Sequence, residues 1–257
     1  MQQEHDWATK VPAVTLGFWI IKILATTLGE TGGDTVSMTL DLGYVVGTAI
    51  FLALLIGLVY WQILAARYQP FLYWATIVAS TMAGTTLSDF ATRSLGIGYT
   101  GGSALLLAAV LSSLAIWRLA LGSISVAEVH EPRAETFYWI TITCSQTLGT
   151  ALGDWAADTN DLGYLGAALV FGLLLAVLAG LYFWTRTSRV WLFWAAFILT
   201  RPLGAAVGDL LDKPIEHGGY DISRPLASAA LAAVIVACVL AFSQRAGRRL
   251  DPQSSAS

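Results

Sequence analysis

Apolar runs of about twenty residues alternate with short polar stretches along this chain. A helix that crosses a bilayer needs about 20 mostly apolar residues. Eight stretches qualify: roughly 12–33, 44–65, 71–91, 99–121, 135–155, 163–184, 190–210 and 225–243. The pattern predicts an all-α integral membrane protein with eight transmembrane helices in a single membrane domain, residues 1–257. The first stretch is read as a span and not as a cleaved leader, because it is long, contains Lys22 and lacks a small-residue cleavage pattern after it. The polar segment 245–257 is expected to be a cytoplasmic, mobile tail.

Composition sharpens the class. Of the 257 residues 56% are hydrophobic and 12% charged, with a mean hydropathy of +0.66, whereas a soluble domain carries about 25% charged residues. This excludes a disordered chain, a nucleic-acid binder and an ordinary water-soluble enzyme; the expected environment is the lipid bilayer. Cys144 and Cys238 both lie in apolar runs, so there is no disulfide framework. With the amino terminus inside, Lys10, Arg67, Arg118, Arg133, Arg186, Arg189, Arg245, Arg248 and Arg249 fall on the cytoplasmic side, and only Arg93, Lys213 and Arg224 on the other. That asymmetry places both termini in the cytoplasm. Trp61, Trp117 and Trp184, at the inner ends of even-numbered spans, fit an aromatic belt.

Self-comparison reveals a repeat. Four segments carry an aromatic residue followed by tryptophan: Phe18-Trp19, Tyr73-Trp74, Tyr138-Trp139 and Phe193-Trp194. At +10 from each tryptophan stands glycine (Gly29, Gly84, Gly149, Gly204), and at +15 aspartate (Asp34, Asp89, Asp154, Asp209). A Gly-Tyr pair opens each following span, at Gly43-Tyr44, Gly98-Tyr99, Gly163-Tyr164 and, shifted by one residue, Gly219-Tyr220. The units run over approximately 12–66, 67–122, 132–185 and 188–244. Trp19 and Trp139, like Trp74 and Trp194, are 120 residues apart, and only the first and third units share Asp-Leu-Gly-Tyr (Asp41 to Tyr44, Asp161 to Tyr164). A two-helix unit has thus been doubled into a half and the half doubled again. With an even number of spans per unit, the four repeats are parallel, related about an axis along the membrane normal.

This arrangement resembles a bacterial family of uncharacterised membrane-anchored proteins with four tandem two-helix repeats of unknown function, each bearing a characteristic tryptophan. The resemblance runs from Trp19 to the end of the eighth span and departs most in the fourth unit, at Arg201-Pro202 and at the insertion before Tyr220. It implies the bacterial cytoplasmic membrane as location and implies no activity.

The odd-numbered helices carry the chemistry. Positions +7, +11 and +15 lie within about 80° of one another on a helix. The +7 set is Thr26, Thr81, Gln146 and Arg201; the +11 set is Glu30, Thr85, Thr150 and Ala205; the +15 set is the four aspartates. Small residues at +10 and +14 (Gly29 and Gly33, Gly84 and Ser88, Gly149 and Gly153, Gly204 and Gly208) form a second stripe suited to close helix packing. The even helices lack both features. The odd helices are therefore expected to form a central bundle with polar stripes inward and even helices outside. In structural terms the glycines read as packing, the tryptophans as interface anchors, and the threonines as groups bonding their own backbone. The aspartates have two readings, a shallow solvated position or a buried acidic ring. Asp212, Glu216, His217 and Asp221 form at most a diffuse, solvated outer collar.

Function follows from the acidic set. Glu30, Asp34, Asp89, Asp154 and Asp209 outnumber the in-span bases Lys22 and Arg201, which are the expected charge-compensating partners of Glu30 and Asp34. An excess of carboxylates invites cations or protons, and hard oxygen donors suit magnesium, calcium or manganese. Glu30, Asp34 and Asp154 are the candidate metal ligands, with Thr26, Thr81, Gln146, Thr85 and Thr150 along the path. The string Glu30-Thr31-Gly32-Gly33-Asp34-Thr35 is similar to the glutamate-glycine-aspartate signature of a class of manganese and calcium transporters, which raises manganese among the candidates. The leading expectation is a transporter of a divalent cation in exchange for protons, with no cofactor beyond that cargo and with room for homo-oligomer formation. A cation channel and a non-transporting scaffold or sensor are the alternatives. No nucleophile-base pair, His-x-x-x-His or phosphate loop is present, and His5, His130 and His217 lie outside the spans, which argues against an enzyme.

Overall fold

The structure, a computed structural model, describes residues 8–159 and 162–248. A short strand β1 (Ala8–Pro12) precedes α1 (Leu16–Asp34), α2 (Gly43–Leu64), α3 (Pro70–Asp89), α4 (Gly98–Leu121), α5 (Pro132–Asp154), α6 (Gly163–Trp184), α7 (Arg189–Asp212) and α8 (Arg224–Ala241), and strand β2 (Ala246–Arg248) follows. Local chemistry sets the helix starts. The Thr15 side chain caps α1 by accepting from the Phe18 amide, and proline opens α3, α5 and α8, where the missing N–H has no helical partner to lose. Helices α2, α4 and α6 begin at Gly43, Gly98 and Gly163 with φ of +73°, +73° and +62°. The glycine of each Gly-Tyr pair is there because side-chain-bearing residues rarely enter that conformation.

The four odd helices close a ring. Helix α1 packs against α3 and α7, and α5 packs against the same two, so α1 and α5 face each other diagonally, as do α3 and α7. Each +10 glycine lies against the +7 residue of the next odd helix. A Cβ built on Gly29 would lie within clashing distance of Thr81 Cβ, on Gly84 2.8 Å from the Gln146 backbone, on Gly149 within clashing distance of the Arg201 stem, and on Gly204 2.5 Å from Thr26 Cβ. The +14 residues repeat the arrangement one turn on: Gly33 meets Thr85, Gly153 meets Ala205, and Gly208 meets Glu30. Even helices lie outside, each on the inner helix of the following repeat: α2 on α3, α4 on α5, α6 on α7, and α8 back on α1.

Among the described residues, five helices are long and apolar enough to cross a membrane: α2, α4, α6, α7 and α8. The lipid-like outer faces of the even helices display exposed Ile56, Leu105, Leu173 and Leu240. Helices α1, α3 and α5 fall short of that apolarity because they hold the polar stripes, and those stripes are buried in the ring. The all-α architecture is as expected, and one expectation needs correction. Strands β1 and β2 pair antiparallel beside the helices, so residues 246–248 are tied down and not part of a free tail; residues 249–257 lie outside the described residues. Val11 of β1 is buried in the main core, and Lys10 donates to the Ile63 carbonyl at the end of α2 while pairing with Glu135 of α5 at 2.6 Å. This strap was not legible because a five-residue strand carries little pattern.

A methyl group added at Gly84 would press on backbone atoms of α5. Gly84→Ala is expected to lower stability by about 1–3 kcal/mol, whereas Gly57→Ala, with nothing within 4 Å of the new carbon, should leave the protein as stable or more so. Thermal unfolding in detergent compares the two.

Candidate functional site

The side chains that fill the ring axis are set four residues apart on each helix, so they stack in layers. At the amino-terminal end of the odd helices sits an aromatic layer. Phe18 packs on Trp74, Tyr73 on Trp139, Tyr138 on Trp194 and Phe193 on Trp19, with ring centroids 5.5, 5.7, 6.2 and 5.8 Å apart, a closed pinwheel in which Tyr73 and Tyr138 also share a 2.6 Å hydrogen bond. Tilted and edge-on pairs of this kind add to simple burial. This corrects the reading of the repeat tryptophans as interface anchors: Trp74, Trp139 and Trp194 are buried. Trp117 also leaves the proposed aromatic belt, being buried against Phe137, Tyr138 and Trp194, while Trp61 and Trp184 stay exposed.

One turn further in, Lys22, Ile77, Ile142 and Phe197 are fully buried. The Lys22 ammonium sits 4.1 Å from the centre of the Phe197 ring. It makes no ion pair with Glu30 or Asp34, contrary to its expected compensating role. At the next level, Thr26 donates to the Thr200 carbonyl of α7 and Thr81 to the Ala25 carbonyl of α1, each also bonding its own helix. These two hydroxyls tie neighbouring helices together and are spent on backbone. Gln146, at the same level, has no partner for either amide atom among the described residues.

Arg201 crosses to the following layer. Its Nη2 donates to Glu30 Oε2 at 2.9 Å, Thr85 Oγ1 at 2.6 Å and Thr150 Oγ1 at 2.5 Å. The guanidinium from one helix thus engages the +11 residue of the three others, and its own +11 residue, Ala205, is small enough to leave it room. Pro202, which removes one backbone hydrogen bond from α7, lies with the Arg201 stem against Gly149. Glu30 and Arg201 are buried, so each charge depends on the other in a medium that screens little.

The aspartates follow one turn beyond, and all four are buried. Two bases just beyond the ends of α3 and α7, both at +19, bridge them in adjacent pairs. Arg93 reaches Asp89 at 3.1 Å and Asp154 at 3.3 Å. Lys213 reaches Asp209 at 3.0 Å and Asp34 at 2.8 Å. Burial alone would lower the Lys213 pKa, but Asp209, Asp34 and Asp212 outweigh it and raise it, so the ammonium is held charged. Asp212 is buried and paired with Arg224 at 3.1 Å, so it belongs to this network and not to a solvated collar; Glu216, His217 and Asp221 are exposed. Glu30, Asp34 and Asp209 each bring a carboxylate oxygen within 4.8 Å of the other two. Asp154 is not the third member, because α5 stands diagonally across the ring from α1 while α7 stands beside it. The carboxylate surplus is also smaller than the in-span residues suggest, since Arg93, Lys213 and Arg224 fold in over them. The signal that could have found two of these is the 120-residue step, which relates Arg93 to Lys213 as it relates the tryptophans.

A family model described as Repeat of Unknown Function (DUF347) matches the chain four times in succession, over residues 17–68, 72–122, 137–188 and 192–247. No curated protein and no solved structure matches the chain.

Removing one partner of a buried ion pair strands the other charge, at a cost of about 3–5 kcal/mol, whereas removing both is tolerated far better. Glu30→Gln and Arg201→Met singly should each lower the unfolding temperature in detergent by more than the two combined in one chain. Additive losses would show that the pair is not coupled.

Proposed function

The chain belongs to the family of the Repeat of Unknown Function (DUF347), a description that carries no activity, and from its own residues we propose a membrane transporter that moves a divalent cation in exchange for protons. The observation that carries this reading is the buried trio Glu30, Asp34 and Asp209, whose carboxylate oxygens lie within 4.8 Å of one another. Three carboxylates offer hard oxygen ligands, which select manganese, calcium or magnesium over softer ions. Lys213, tethered at the end of α7, supplies a positive charge at the same oxygens. A cation arriving from the outer face takes the place of that ammonium.

In this reading all eight helices span the bacterial cytoplasmic membrane, with four repeats running the same way and both termini inside. Helix α1, the shortest of the odd helices at 19 residues, spans about 28 Å at about 1.5 Å per residue, close to the hydrocarbon thickness. Its polar groups are tolerated because they turn to the ring axis. The excess of Lys and Arg on the side of Lys10, Arg67, Arg118, Arg133, Arg186, Arg189 and Arg245 sets the orientation, so the carboxylate trio lies toward the outer face and the aromatic pinwheel toward the cytoplasm. Glu30 belongs both to the trio and to the Arg201 pair beneath it. A cation that claims Glu30 weakens the hold of Arg201, which couples occupancy of the outer site to opening of the layer below.

Side chains fill the axis at every level from the pinwheel to Arg201, which supports a carrier that rearranges over a standing channel. The same filled axis is the observation in favour of the second reading, a non-transporting scaffold. Proteoliposomes loaded with a manganese-sensitive dye separate these. Saturable uptake that falls at least about tenfold in Asp34→Asn and in Asp209→Asn, as expected for loss of one charged ligand, and stays unchanged in Asp158→Asn, whose side chain is exposed, fits the carrier. Single-channel currents would point to a pore, and absence of any flux from a folded protein to the scaffold.

A further inference from the structure

We infer that a groove between α1, α6 and α7 holds one acyl chain of an anionic phospholipid, with the lipid phosphate on Arg189. The groove is a cavity of about 800 Å³, within the range of about 300–1,000 Å³ for sites that take small apolar ligands. Trp19 and Ile23 of α1, Phe193 and Ala196 of α7, and Leu175 and Leu178 of α6 line it. Along α7 it runs from Val190 to Thr200, about 15 Å at about 1.5 Å per residue. That is half of a hydrocarbon core of about 30 Å, the depth of one leaflet. The length suits a single lipid tail and is too short for a spanning helix of a second copy.

The internal duplication marks this groove as a local departure. The 120-residue step carries α6, α7 and α1 onto α2, α3 and α5. There α2 touches α5 as well as α3, whereas α6 lies on α7 without comparable contact to α1. On the closed side Lys10 ties the two helices, donating to the Ile63 carbonyl and pairing with Glu135. The corresponding residues on the open side, Phe183 and Thr15, line the groove and have no such tie. Trp139 on the closed side is buried, and its counterpart Trp19 is half-buried. An unfilled gap beside these side chains forfeits their contacts on one side, and lipid hydrocarbon restores them. Charge at the mouth sets the headgroup. Arg189 is held there: its Nη1 donates to the Tyr182 carbonyl, and its guanidinium carbon lies 4.1 Å from the centre of the Tyr182 ring. Nε and Nη2 have no hydrogen-bond partner, and no carboxylate pairs with Arg189 among the described residues. Arg186, three residues earlier, is exposed and equally without a carboxylate. Two uncompensated guanidinium groups beside an apolar slot fit a phosphate that carries net negative charge.

The inference rests on the bilayer embedding and orientation proposed above and not on transport, and its test reads bound lipid. The full chain is placed in nanodiscs of phosphatidylglycerol and phosphatidylcholine in equal parts and released into a mass spectrometer under native conditions. One phospholipid should stay with each chain, phosphatidylglycerol about fivefold over phosphatidylcholine, as one positive charge near the surface would give. Arg189→Gln should still retain a lipid and lose most of that preference. Ala196→Phe, which puts a ring into the groove, should release bare protein with its Tm in detergent kept; Ala179→Phe, on the exposed α6 side of the same groove, makes the test again should Ala196→Phe fail to fold. Unaltered protein that emerges bare or as a lipid-free dimer, equal retention of the two lipids, or folded groove-filling variants that keep lipid as the unaltered chain does, each overturns the proposal. Protein that stays monomeric in buffer without detergent would instead sink the bilayer reading itself, and this site with it.

Discussion

Four helices can surround an axis and still touch their neighbours only if their backbones come unusually close, and in this protein that closeness rests on one contact made four times. The +10 glycine of each odd helix receives the +7 residue of the next, so there is no space for even a methyl group at Gly29, Gly84, Gly149 or Gly204. In a lipid setting, where apolar side chains gain little by leaving the solvent, such small-residue contacts supply the van der Waals packing that holds helices together. The rest follows from ring closure. Because the backbones nearly touch, hydroxyls at Thr26 and Thr81 reach a neighbour's carbonyl, and a single guanidinium at Arg201 reaches three other helices.

The same closeness explains how so many charges are accommodated. Each aspartate stands at the end of an odd helix, where the macrodipole already adds negative character. Arg93 and Lys213 return over these ends from the second and fourth repeats and serve one aspartate of their own helix and one of the next. The two bridges are related by the 120-residue duplication, so the acidic layer has approximate two-fold and not four-fold character. Glu30 and Arg201 break even that symmetry, since no equivalent of either occurs in another repeat. Among the described residues the carboxylate trio therefore forms in one place only, where the first repeat meets the fourth.

Much of this was legible in the chain. The apolar runs locate the helices to within a few residues, the fixed offsets identify the repeat, and a spacing of four identifies which side chains share a face. What periodicity does not carry is the order of helices around the ring. Without it, Asp154 was as good a partner for Glu30 and Asp34 as Asp209, and Lys22 was as good a counter-charge as Lys213. Partnerships between repeats depend on which helix is adjacent and which diagonal, and that is decided by packing across 50 residues or more. The bases at +19 were overlooked for a related reason: a residue outside a span is read as facing water, whereas Arg93 and Lys213 fold back over the helix ends. The aromatic residue before each tryptophan was visible as a motif, but only ring closure turns it into a pinwheel.

The hand-over of outer helices has a bearing on biogenesis. Because α2 lies on α3, α4 on α5 and α6 on α7, each outer helix is synthesised shortly before the inner helix it covers, and the pair can associate as the ribosome proceeds. Helix α1 is the exception. Its cover is α8, and Ser228 of α8 bonds Thr31 of α1, 197 residues away. Helix α1 thus keeps one flank bare until α8 is made, and closing the ring requires the first and fourth repeats to meet.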